Sequence, residues 1–356
     1  MTDLLYSDVE ESLRASVRAT LQRSMNDALV ARLADEPAMD VSGIWLTLTQ
    51  QLGLAGLLVP EALGGAGAGA REAAVVLEEL GRSLAPVPFL TSAVIATTAL
   101  LSAGDEQYLP RLAAGEATAA LVLPWTARSG AWTPVEGTIE PVAGVLEADL
   151  FLAPVMGQGD VLCLRCYRRD EVALEPVIAL DMSRPLARVQ LTGPGTQLAS
   201  GREAQEAVDA GLAAGAALLA AEQLGLAQWC LETVLAYVKE RVQFARPIGS
   251  FQAIKHRLAD LYLVIVNAQA ASRYAAATLA AGDPDAEVAQ AVAQSWCSDA
   301  AVRAAEEALQ LHGGIGMTWE HPIHLRLKRA KADQLALGTP DRHRSDLADL
   351  VELPAS

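Results

Sequence analysis

Two stretches of this 356-residue chain carry the residue types and spacing to grip an anion. The first runs Glu240-Arg-Val-Gln-Phe-Ala-Arg-Pro-Ile-Gly-Ser-Phe-Gln252, the second Gln310-Leu-His-Gly-Gly-Ile-Gly316, and both fall at breaks between long helical patterns. In the first, a helix ends on Arg241 and Phe244, Pro247-Ile248-Gly249 turns the chain, and Ser250 is placed to cap a helix that opens with Phe251-Gln252. Such a corner offers a guanidinium, an amide and unpaired helix N–H groups together. It suits a pyrophosphate, which the helix dipole favours and which arginine can hold bidentately. In the second stretch the helix ending at His312 stops at Gly313-Gly314, as a left-handed C-cap requires, so that Gln310 lies beside backbone that side chains do not shield.

The elements that position these residues are helices. Apolar residues make up 52% of the chain, enough for a buried core, and alanine and leucine dominate them, which favours helix. Helical periodicity runs through 9–21, 44–58 and 73–84, and again through 202–242, 250–281, 284–312 and 322–336. Between about 119 and 200 the texture changes to short β-type runs, such as 120–123, 161–164, 175–180 and 187–191, separated by Gly, Pro and Asp, which predicts a small antiparallel β domain. The expected fold is therefore mostly α with a small β domain. Its units are an N-terminal helical domain (1–118), a middle β domain (119–200) and a C-terminal helical bundle (201–356) that carries both anion-gripping stretches and serves oligomerisation.

Composition excludes some functions. A formal net charge of −16 argues against a nucleic-acid groove, which needs a basic stripe. Basic residues cluster locally at Lys239, Arg241, Arg246, Lys255 and Arg257, and at Arg326, Lys328, Arg329 and Lys331; the second group suits an anion site and a solvated helix face equally. The acidic N-terminus lacks the layout of a signal peptide and no apolar run is clean enough to span a membrane, so a cytoplasmic location is expected. Cys163-x2-Cys166 lacks a second pair, and reduced structural thiols are expected. His312, His321 and His324 lack the carboxylate or thiolate that would complete a metal site, so no metal is assigned. The glycine-rich run 56–69 fails the dinucleotide-binding spacing and reads as a loop between helices.

The pattern Arg241-x2-Phe244-x2-Pro247-Ile248-x2-Phe251-Gln252, followed by Gln310-x-His312-Gly313-Gly314-x-Gly316, resembles the C-terminal domain of the acyl-CoA dehydrogenase family. Val59-Pro-Glu-x2-Gly-Gly65 with Glu78-Glu-Leu-Gly-Arg82 resembles that family's N-terminal domain, and Asp181 to Arg188 its connection between late strands. The resemblance implies an acyl-CoA dehydrogenase-like fold, an FAD cofactor, an acyl-CoA substrate and α,β-desaturation of the thioester. It assigns Arg241, Phe244, Gln252, Gln310, Gly313 and Gly314 to the adenosine diphosphate half of an FAD whose ring lies in a neighbouring subunit. Ala245 departs from the glycine usual after the phenylalanine.

The same resemblance implies a glutamate that takes the α-proton while a hydride passes to the flavin. It is expected at one of two positions. Leu337 occupies the one before Gly338-Thr339, and Gly215 with its neighbours occupies the other, ten residues before Gly225-Leu-Ala-Gln228. The family's Thr-Glu-x3-Gly-Ser-Asp-like loop is also replaced, by Leu123-Pro-Trp-Thr-Ala-Arg-Ser-Gly-Ala-Trp132, where Trp125 or Thr126 remain as flavin-lining candidates beside an ordinary loop. The catalytic residue is therefore unknown. The expectation is the subunit that lacks the glutamate and lends FAD-binding residues to a paralogous catalytic partner in an α2β2 assembly, as in heteromeric actinobacterial members acting on sterol side chains. Two alternatives stand beside it: a homomeric enzyme with a base relocated to Glu203, Glu206 or Asp341, and a flavin-free scaffold of the same fold.

Overall fold

The computed structural model describes residues 4–36 and 40–353. Helices come first: α1 (Asp8–Ser24), α2 (Asp27–Asp35), α3 (Ser42–Leu52), α4 (Ala70–Ser83), a π-helical segment (Phe89–Ala96) leading into α5 (Thr97–Ser102), and α6 (Leu109–Ala113). Seven strands follow, β1 (Ala119–Leu121), β2 (Thr138–Ala143), β3 (Leu150–Met156), β4 (Leu162–Arg168), β5 (Val172–Val177), β6 (Leu186–Leu191) and β7 (Thr196–Ser200). The chain then becomes helical again with α7 (Gly201–Glu240), a hairpin of β8 (Val242–Gln243) and β9 (Arg246–Pro247), α8 (Gln252–Ala281), α9 (Ala286–His312), α10 (Ile323–Leu335) and α11 (Pro340–Leu350).

The strands form two sheets, ordered β1-β3-β4-β7 and β2-β6-β5. Their pairing is antiparallel except between β1 and β3, which run parallel, a departure from the expected all-antiparallel pattern. The exception follows from the 28 residues between β1 and β3, long enough for a crossover that a hairpin turn does not supply. A small core of Val122, Ile139, Val142, Phe151, Tyr167, Ala187 and Val189 packs together in the β region.

The larger core is helical and α7 is its axis. This helix is 40 residues long and meets α4, α8, α9 and α10 along its length. By length and hydropathy it could cross a membrane, contrary to the sequence expectation, but 89% of its apolar window is buried inside the protein. Its small side chains allow close approach: at the crossing with α4, a Cβ on Gly81 would run into the backbone of Glu222, and one on Gly225 into that of Glu78. Here backbone meets backbone, so only glycine fits on either side. The run 56–69 closes on itself as a loop, with Ala66 N–H bonded to Gly56 O (2.9 Å), Gly67 N–H to Val59 O (2.8 Å) and Ala68 N–H to Leu57 O (2.9 Å). Those donors are spent internally and hold no phosphate.

Candidate functional site

The first anion-gripping stretch begins where α7 ends. Arg241 is its C-cap, its N–H bonded to Tyr237 O, and the chain turns back through β8 and β9. Phe244 and Ala245 at the tip both have positive φ, +52° and +62°, the left-handed pair that a tight hairpin demands. Each non-glycine residue there costs about 1–2 kcal/mol. The corner returns onto α7 through Ile248 N–H to Arg241 O (2.8 Å). Arg246 lies over the Phe251 ring at 3.9 Å, and Phe244 meets that ring edge-on at 6.2 Å. Ser250 does not cap α8, as the sequence suggested. It lies in a 3₁₀ turn and donates to Pro247 O (2.7 Å), leaving Phe251 as an N-cap without a side-chain acceptor. The first N–H groups of α8 are therefore uncapped by any side chain.

The second stretch is held beside the first by aromatic packing. Tyr237, one turn before Arg241, stacks on His312 with ring centroids 4.4 Å apart, and its hydroxyl donates to His312 O (3.3 Å). His312 is buried, donates from Nδ1 to Ala308 O (2.6 Å) and also meets His321 at 4.4 Å; burial pulls its pKa below the ordinary histidine value. His324 instead stacks on Trp319 and donates to its carbonyl (3.1 Å), so the three histidines serve the turn's packing. Gly313 takes φ +62°, and neither it nor Gly314 has a neighbour within 4 Å of where a Cβ would stand. Arg241, Phe244, Gln252, Gln310, Gly313 and Gly314 are all exposed. The corner thus presents open backbone, a guanidinium and two amides.

The two expected base positions meet elsewhere on α7, and they meet each other. A Cβ on Gly215 would stand 2.7 Å from Ile95 Cγ1 and 3.1 Å from Leu337 Cδ1. Leu337 is buried at φ +54°, its N–H bonded to Trp125 O (2.8 Å) and its carbonyl accepting from His343 Nε2 (2.9 Å); burial lowers the His343 pKa. The space they enclose has a volume of about 20 Å³ and is lined by Thr91, Ile95, Leu121, Leu123, Trp125, Leu212 and Leu337 among others, with no titratable side chain. It holds one water at most.

The loop 123–132 seals this seam. Trp125 N–H bonds Pro141 O (2.7 Å), Arg128 pairs with Asp346 (3.1 Å), and Gly130 N–H and Trp132 Nε1 both donate to Asp209 (2.8 and 2.7 Å). Sequence reading did not foresee this strap, since its partners are some 80 and 220 residues away; Asp209 signals nothing locally. The relocated-base candidates do not reach the seam. Glu203 is exposed, Glu206 pairs with Arg202 (2.6 Å), and Asp341 lies open to solvent beside Arg344 (2.8 Å).

The second basic group also divides differently from expectation. Arg326 and Arg329 are buried, Arg326 over the Trp229 ring at 3.7 Å, while Lys331 pairs with Glu306 (3.1 Å) and Lys328 covers Trp319. It is neither a solvated face nor an open anion site. A cavity of about 540 Å³ lies between α1, α4, α7 and α10, and two of its arginines are already engaged, Arg18 by Glu79 and Arg82 by Glu232.

Two family models match this chain: residues 205–351 fit the acyl-CoA dehydrogenase C-terminal domain and residues 7–116 the N-terminal domain. Acyl-CoA dehydrogenase IpdE2 of Mycolicibacterium smegmatis is 38% identical over 94% of this chain and 96% of its own length. The chain belongs to the acyl-CoA dehydrogenase family. Among solved structures, the ChsE4-ChsE5 complex from Mycobacterium tuberculosis superposes with a TM-score of 0.85 at 25% identity, covering 99% of this chain and 100% of the matched one. The Tcur3481-Tcur3483 steroid acyl-CoA dehydrogenase, in its G363A variant, gives 0.84 at 27% identity over 97% and 98%. Family membership accounts for the mostly helical architecture and for oxidoreductase chemistry on acyl-CoA, carried out in this family by flavoproteins that bind FAD.

Proposed function

We propose that this chain is the subunit of a heteromeric, FAD-dependent acyl-CoA dehydrogenase that lacks the catalytic glutamate and supplies its basic corner to the flavin site of a paralogous catalytic partner, in an α2β2 assembly. One observation supports the reading: Gly215 and Leu337, where the resemblance expects the base, pack against each other and hydrocarbon fills the gap beside them. Proton removal needs a carboxylate poised over the substrate, and substrate needs room. The seam offers neither.

FAD, when bound, supplies the hydride acceptor for the desaturation. The corner fits its diphosphate half. Arg241 would grip a phosphate pair, the backbone at Gly313 and Gly314 admits close approach, the uncapped start of α8 favours negative charge, and Gln252 and Gln310 offer amides. The seam does not fit an isoalloxazine ring, since Trp125 and Leu337 fill it. Leu337 nevertheless sits at a costly positive φ before Gly338 (φ +100°), as expected of a turn that once aimed a functional side chain. Likeness to two-component complexes, one of them a steroid enzyme, favours a partnered chain and a bulky acyl substrate.

The test against a relocated base is direct. In the purified complex, Glu203→Gln, Glu206→Gln and Asp341→Asn should each leave kcat within about twofold, because a surface carboxylate makes no transition-state contact. Loss of orders of magnitude in any one of them would overturn the assignment.

A further inference from the structure

A buried ionic cluster joins the segment before β6 to α7 and α10. Arg184 donates from one nitrogen to Asp333 Oδ1 (2.5 Å) and from another to both oxygens of Glu222 (2.6 Å). Arg329 pairs with Asp181 (2.5 Å) and Glu222 (2.7 Å) and donates to Ser183 Oγ (2.8 Å). Every one of these side chains is shielded from solvent, Asp333 completely. The charges do not balance: two guanidiniums face three carboxylates. Glu147, at the edge of the same cleft beside Arg184, adds a further acidic group and no cation.

The hydrogen bonding has a matching defect. Asp333 Oδ2 and Gln223 Oε1 are both buried acceptors without a donor. Yet the two residues are neighbours, because Gln223 Nε2 donates to Asp333 O (3.3 Å) and to Ser298 Oγ (3.0 Å). A buried carboxylate oxygen without a donor, in a cluster with one negative charge too many, calls for a proton. We propose that Asp333 is held in its protonated form, donating through Oδ2 to Gln223 Oε1, and that this proton makes the joint between residues 181–184 and helices α7 and α10 a pH-sensitive lock.

The direction of titration agrees. Burial, helped by Glu222 and Asp181 and opposed by Arg184 and Arg329, raises the Asp333 pKa from its ordinary value to about 7. The unfolded chain releases this proton near pH 4 and the folded chain near 7, so between them the native state binds more protons and stability falls as pH rises; above 7 the effect is complete. The lock also reaches the sealed seam, since the Arg184 guanidinium lies 5.3 Å from the Trp125 ring that closes it.

Asp333→Asn separates the two states, because an amide keeps the acceptor toward Arg184 and permanently offers the donor toward Gln223. The measurement is thermal unfolding of the full-length chain, with any partner that co-purifies, from pH 5 to pH 8.5. The proposal expects the wild type to lose several degrees relative to Asp333→Asn across that range, with the variant at least as stable at pH 8.5. A variant less stable than wild type at pH 8.5, with the same pH slope, would show an ionised Asp333 and overturn it. If the variant does not fold, infrared spectra of the wild type labelled at aspartate carboxyl carbons decide: a protonated-acid band present at pH 6 and gone by pH 8.5 supports the proposal, and its absence at pH 6 refutes it.

Discussion

The C-terminal end of α7 and its middle stand in contrast. At the end, the helix runs out into exposed backbone, strained left-handed residues and cationic side chains, all turned outward. At the middle, the same helix packs a bare glycine against Ile95 and Leu337, and a tryptophan loop is tied over the contact from four directions. An active site must keep space and leave polar groups unsatisfied by the fold. The first region does so, and the second has spent every such opportunity on packing. One helix therefore carries an open, cationic corner at its end and a closed, apolar seam at its middle.

Arg241→Ala is expected to have the largest effect on this contrast. Bound flavin in the co-purified complex should fall at least tenfold, measured as flavin absorbance per protein mass, while the unfolding temperature of this chain stays within a degree or two, because the side chain is exposed and pairs with nothing among the described residues. Unchanged flavin content would instead favour the scaffold alternative. Leu337→Glu tests the closed region. A carboxylate forced into an unpartnered space of about 20 Å³ should destabilise the chain by about 3 kcal/mol or more in denaturant unfolding. No acyl-CoA oxidation by this chain alone should appear; a gain of activity would mean that the seam is a working site short of one residue.

Smaller changes sharpen the same comparison. Gly215→Ala places a methyl 2.7 Å from Ile95 Cγ1, and about 1–3 kcal/mol of overpacking is expected from the same unfolding measurement. A neutral result would show that the seam is looser than its geometry implies. Ala245→Gly should relieve the left-handed strain at the hairpin tip by about 1 kcal/mol, with flavin retention in the complex equal or improved. Weaker retention would show that the Ala245 methyl itself makes a contact.

Much of this was legible in the sequence because it is periodic or local. The 40-residue span of α7 follows from unbroken alanine and leucine spacing, and the corner from an arginine, a proline and a glutamine placed around a helix break. The lack of a carboxylate at the two positions where the resemblance expects the base, Gly215 and Leu337, was visible as well. Their mutual contact was not, since Gly215 and Leu337 meet only once α7 and the turn after α10 are folded together. The hairpin at 242–247 escaped notice because its tip reads Phe-Ala, where such turns favour Asn-Gly. Arg329 suited an anion site and a solvated helix face equally in the sequence, and Asp333 gave no signal, because the charges that meet them, on Arg184 and Glu222, come from other elements. The π-helical segment leaves no mark in the apolar pattern that separates it from α-helix.

The central claim is that this chain gives to a flavin site without owning one. The most direct test is the molar ratio of FAD to polypeptide, on the chain purified alone and on the complex formed with its paralogous partner. The account predicts little flavin on the chain alone and about one FAD per two polypeptides in the complex, as an α2β2 assembly with one sealed site per pair requires. Near one FAD per polypeptide, present on the chain alone and bleached by an acyl-CoA, would contradict it.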